Sequence, residues 1–180
     1  MTHDSVDCAA MQLEIRDFPW VSLYPIAPGE LVFEECVRLN CYYCKKYDSS
    51  WRCPPRIPHL NYQKLVKEYA HGIFAKIEIP FSENDFPEVR TRSTNELHRA
   101  LLKLEEYLWE HNFPMAVSFI GGSCKLCKNG CGKERCNNPD LARMPMEATG
   151  INVVKSAEKV GIRIVFPPKG SLVRLGMLLW

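Results

Sequence analysis

Two runs of cysteine carry the chemistry of this sequence. The first is Cys36, Cys41, Cys44 and Cys53, spaced C-x4-C-x2-C-x8-C and followed by Pro54. The second is Cys124, Cys127, Cys131 and Cys136, spaced C-x2-C-x3-C-x4-C between Gly121-Gly122 and Pro139. Thiolates ligate soft and borderline metals, so zinc and iron–sulfur clusters are the realistic candidates. A structural zinc site commonly takes two close pairs separated by a longer segment, and the second run has no distant pair. A cubane presents four irons at four corners, which cysteines a few residues apart on one winding loop can reach, as in the ferredoxin run C-x2-C-x2-C-x3-C-P. The second run matches that run in density but not in exact spacing. The first run starts like the plant-type two-iron pattern, but its fourth cysteine comes too soon for it. Cys53-Pro54 repeats the cysteine–proline ending, where proline removes a backbone donor and fixes the turn. These spacings predict two 4Fe-4S clusters, one per run and each closed by four thiolates. Zinc is the alternative, with thiol redox or disulfide chemistry behind both. The odd total of nine cysteines and their crowding argue against a disulfide framework.

Other side chains are weighed against these runs. Cys8 stands alone and reads as an exposed or loosely packed thiol, not a ligand. His3, His59, His71, His98 and His111 show no pair at ligand spacing, and His59 is the nearest to a run. Tyr42, Tyr43, Tyr47 and Trp51 crowd the first run, either shielding a cluster from water or simply packing the loop. Lys125, Lys128, Lys133 and Arg135 surround the second run and would offset the negative charge of bound clusters, or merely solvate the loop. Arg143 and Glu147 have two readings as well. They place a substrate beside a cluster, or they form an i,i+4 helix ion pair, the plainer and favoured reading.

The elements that must position these residues follow from periodicity and breakers. Residues 1–17 are expected to be a loose arm and 18–180 a single domain. Pro19 to Ile26 reads as a strand, and Val32, Cys36 and Leu39 fall on one helical face. Asn61 caps a short helix that Gly72 stops. Ile73, Ala75, Ile77 and Ile79 alternate as a strand. Ser93 and Glu96 form a capping box for a helix bearing Leu97, Leu101, Leu104 and Leu108, after a polar connection over 82–92. Met115 to Ile120 is a buried strand that delivers the chain to the second run, at a strand's carboxyl end where α/β folds place sites. A helix is expected over 147–160, then a terminal hairpin of Ile162–Phe166 and Leu172–Trp180. The expected fold is α/β: a small mixed sheet of about four to five strands with flanking helices and two cysteine-rich, cluster-binding loops.

Composition narrows the function. The formal charge is +2, and no basic stripe points to nucleic acid. No apolar run reaches the roughly 20 residues of a membrane span, and the first residues lack a signal peptide's apolar core, so a soluble, cytoplasmic protein is expected. The leading reading is an iron–sulfur protein that transfers electrons to a partner protein or supports a redox enzyme. An enzyme with substrate near Arg143 and Glu147, and a zinc-stabilised interaction module, are the alternatives.

The segments around both runs, Leu39 to Pro55 and Gly121 to Val153, resemble the predicted metal-binding family DUF2284. The resemblance rests on Arg38 in a helix entering a loop that ends Cys53-Pro54-Pro55, then Gly121-Gly122-x-Cys124-x-x-Cys127, then Arg143, Met146, Glu147, Ala148, Gly150 and Ile151. Pro145 stands where the family often has serine. The resemblance implies metal binding by the cysteines and assigns no reaction.

Overall fold

The computed structural model describes residues 6–180. Four strands, β1 (Val21–Pro25), β2 (Gly72–Pro80), β3 (Val117–Phe119) and β4 (Ser171–Leu179), form a sheet in the order β1-β2-β4-β3. Five α-helices accompany it: α1 (Cys8–Glu14), α2 (Glu35–Tyr42), α3 (Tyr62–Leu65), α4 (Phe86–Glu110) and α5 (Val153–Glu158). Every neighbouring pair of strands is antiparallel, so the sheet is not the mixed one expected. The reason lies in β4. It pairs with β2 along its whole length, from Gly72 opposite Leu179 to Pro80 opposite Ser171, and takes β3 on its other side. Both of its edges are thereby used. Ile162–Phe166 forms no strand, and the expected terminal hairpin is absent.

Alternation along the strands divides the core into two apolar clusters. Ile73, Ala75, Ile77 and Ile79 of β2 pack with Leu97, Leu101, Leu104 and Leu108 of α4. Phe74 points the other way, into Leu175, Met177 and Leu179 of β4 together with Met146 and Ile151. The sheet is thus covered on both sides. Burying each such side chain is worth roughly 1.5–3 kcal/mol.

Three expected boundaries move. α4 starts at Phe86, not Ser93. Pro87 sits in its first turn, where a missing N–H leaves no bond unmade. Ser93 is therefore inside the helix, its hydroxyl donating to the Arg90 carbonyl at 3.2 Å, and no capping box exists there. The expected arm contains α1, capped by Asp7, which accepts from the Ala10 N–H at 2.7 Å. Met11 and Ile15, four apart on one helical face, are fully buried in the core with α4. The first five residues of that arm, His3 among them, lie outside the described residues. The expected 147–160 helix is split. A 3-10 turn over Glu147–Thr149 ends at Gly150, whose φ is +94°, and α5 restarts behind an Asn152 cap.

One turn matters for the site. After β3, Ile120 bonds both sides of Pro145, receiving the Met146 N–H at 2.9 Å and donating to Met144 at 3.0 Å. Gly121 then passes so close to β4 that a Cβ there would run into the Leu175 carbonyl oxygen, and Gly122 has φ +75°. Only glycine accepts that pair of demands without strain. The turn throws the chain off the sheet and into the second cysteine run.

Candidate metal centre

All nine cysteines are free thiols. Those of the second run converge. Cys124, Cys127, Cys131 and Cys136 line one small cavity of about 10 Å³, closed over by Ser50, Trp51 and Arg52 from the first-run loop. Trp51 Nε1 donates to the Gly132 carbonyl at 2.7 Å, and Arg52 donates to the Pro139 carbonyl. The Arg56 guanidinium lies over the Trp51 ring, 4.4 Å from its centroid. Asn138 Nδ2 donates to Cys127 Sγ at 3.1 Å, with Asn137 Nδ2 at 3.9 Å from the same sulfur.

The first run is divided. Cys41, Cys44 and Cys53 line a cleft of about 830 Å³ together with Lys46, Arg90, Lys125 and Glu147. Cys36 opens onto a neighbouring cavity of about 510 Å³ instead. It is exposed, and its thiol faces the Glu34 carboxylate at 3.7 Å. The helix explains the separation. Cys36 and Cys41 both belong to α2, and five residues at 3.6 per turn put them about 140° apart around its axis. The two runs meet at Cys53, which is buried beside Cys41, Cys44 and Cys124. Burial pushes the Cys53 thiol up to about 11, those three neighbours add to the rise, and a hydrogen bond with Ser50 opposes it. Burial also raises Cys41 and Cys124. Thiols raised by burial hold their protons more tightly, and a bound metal reverses that by replacing the proton.

A family model described as a predicted metal-binding protein, DUF2284, matches residues 24–180. The chain belongs to that family. No curated protein and no solved structure matches it. Metal binding is the property the family description carries, and it names no metal.

Within this DUF2284 chain the donor chemistry fits a thiophilic metal, but the spacing is not that of one ion. Among the described residues, no three His, Cys, Asp or Glu side chains are grouped closely enough to hold a single metal ion. Four thiolates about 2.3 Å from one tetrahedral zinc would stand about 3.8 Å from each other. The second-run thiols share one space without closing to that packing.

The remaining candidates separate clearly. Cys8 lies in neither cysteine cavity; it packs on the core, its thiol 3.9 Å from the Leu23 carbonyl oxygen. His59 lines a different pocket with Arg38 and Tyr62. Tyr42 and Tyr43 face solvent, Tyr47 lines the cleft and Trp51 covers the second run. Arg143 and Glu147 do not pair, because the chain there is not a continuous helix. Arg143 instead grips Glu105 of α4, at 2.5 Å from Nη2 and 2.9 Å from Nε. Glu105 is 1% exposed and also accepts from the Ser118 N–H at 2.6 Å, so Arg143 is engaged as a structural clamp. Glu147 does reach the cleft, accepting from the Gly122 N–H at 3.3 Å. Burial pushes its carboxyl above the usual range, against the pull of backbone N–H groups and Arg174.

Sequence reasoning missed two features, the Ser50–Arg52 cover and the Asn137 and Asn138 donors, and it placed Lys125 with the second run alone. Lys125 lines both the first-run cleft and a cavity of about 580 Å³ bordered by Cys124, Cys127 and Cys131, and its ammonium donates to Thr94 Oγ1 at 2.7 Å. Burial first, then Arg174, Arg90 and Lys46, lower its pKa to about 8. Asparagines just after a cysteine run were the one available signal.

Proposed function

We propose that this chain is an iron–sulfur protein with two four-iron clusters, one at each cysteine run, that transfers electrons to a partner or supports a redox enzyme. The observation that carries the reading is the convergence of Cys124, Cys127, Cys131 and Cys136 on one space, with a second thiol group adjoining through Cys53. A cluster there would supply one-electron chemistry at a potential set by charge, hydrogen bonds to sulfur and exposure. This chain's own residues act on each of those. Asn138 donates a hydrogen bond to the Cys127 sulfur, Trp51 covers the site, and Lys128, Lys133 and Arg135 are exposed along the loop. Those cations favour a more negative reduced state and fit an acidic docking surface on the partner.

Zinc is the competing reading. The order of the cysteines along the chain supports iron over zinc, since four thiols within 13 residues and no distant pair suit a cubane better than a structural zinc site. Iron, zinc and acid-labile sulfide measured on anaerobically purified protein separate the two. Iron and sulfide in equal amounts support the proposal, whereas stoichiometric zinc with trace iron rejects it.

A further inference from the structure

Both sides of the 830 Å³ cleft point to a use beyond a closed electron relay. On one side stand Cys41, Cys44 and Cys53. On the other stand Arg90 and Lys125, with Glu147 between them and the adjoining cavity. That second cavity shares Val37, Asn40, Arg90 and Glu147 with the first, so the two adjoin. Arg174 lines it, held by the Gly121 carbonyl at 3.0 Å and Ser93 Oγ at 3.4 Å. Arg90 makes no ion pair among the described residues. Five cations, Lys45, Lys46, Arg90, Lys125 and Arg174, therefore line the two adjoining cavities, against the single carboxylate of Glu147. Such an excess of positive charge lining a concave site attracts anions.

We propose that the first run binds its cluster through three thiolates, Cys41, Cys44 and Cys53, leaving one iron without a protein thiolate, and that the cationic cleft delivers a small anionic ligand to that iron. The inference rests on the iron–sulfur reading above. Cys36 is excluded by its place on α2, about 140° from Cys41. Its thiol faces Glu34 instead, a carboxylate that also accepts from Asn152 Nδ2 at 2.6 Å and from Lys155. The apolar wall of the adjoining cavity, Val153, Ile164 and Leu172, suits a ligand whose anionic end carries a short apolar body.

The test uses iron content and the electron paramagnetic resonance spectrum of the reduced protein, with cyanide as the anionic probe. Cys36→Ser keeps the parent's iron, about eight per chain, while Cys53→Ser loses about half of it. Cyanide shifts one of the two cluster signals in the parent and in Cys36→Ser, and Arg90→Gln raises the cyanide concentration needed several-fold. Circular dichroism confirms that each variant is folded. Loss of half the iron in folded Cys36→Ser would overturn the inference while leaving the iron–sulfur reading intact, and so would a parent spectrum indifferent to cyanide. A parent holding zinc and only trace iron would remove both.

Discussion

At the scale of single residues, the eight clustered cysteines were legible from spacing alone, but their division was not. Four thiols in a loop converge because the loop winds; a C-x4-C pair lying inside a helix diverges because the helix turns by 100° per residue. Recognising Cys36 as the odd member needed the knowledge that α2 runs on through Cys41. Cys8 illustrates the easier case. It packs on the core away from both runs, so Cys8→Ser is expected to retain full metal content by elemental analysis, and loss of metal would show that it is a ligand. His98 gives a pH effect. It is fully buried, with Nε2 at 2.9 Å from the Leu141 carbonyl, and burial lowers its pKa to about 4. The unfolded chain binds this proton near pH 6.5 and the folded chain does not, so stability is complete above about 6.5 and falls as pH drops towards 4. The full effect is roughly 3 kcal/mol. His98→Gln is expected to flatten that part of the pH profile in urea denaturation; an unchanged slope would assign the loss to other groups.

At the scale of elements, patterns that repeat were read correctly and patterns that depend on partners were not. The alternation of Ile73 to Ile79 and the leucine repeat of α4 reflect burial against a sheet, which leaves a periodic trace in sequence. The start of α4 depended on whether Pro87 ends a loop or opens a helix, and both are permitted locally. The exclusion of Ile162–Phe166 from the sheet depended on β4 having both edges occupied already. The Arg143–Glu105 pair joins residues 38 apart and leaves no local signature. It makes a sharp prediction. Arg143→Met leaves Glu105 buried without its partner, and should cost about 3 kcal/mol or more. Leu101→Ala in the centre of α4 should cost about 2–5 kcal/mol through the cavity it leaves. Denaturant midpoints measure both, and a shift below about 0.5 kcal/mol for Arg143→Met would mean the clamp is not formed in solution.

At the scale of the whole molecule, the sheet serves as a platform from which two distant stretches of chain are brought into contact. The first-run loop supplies Ser50, Trp51 and Arg52 to cover the second run, and Cys53 meets Cys124 where the loops adjoin. On the proposed reading, two metal groups held this way would be neighbours with separate ligand sets. Cys124→Ala is therefore expected to remove about half the metal and leave the other half bound, as read by metal analysis. Loss of all metal with native circular dichroism would mean the ligand sets are interleaved. The central claim is the identity of that metal, and anaerobic iron and zinc analysis combined with electron paramagnetic resonance of the dithionite-reduced protein tests it most directly. The account predicts about eight irons per chain and signals from two interacting four-iron clusters; stoichiometric zinc, trace iron and a silent spectrum would contradict it.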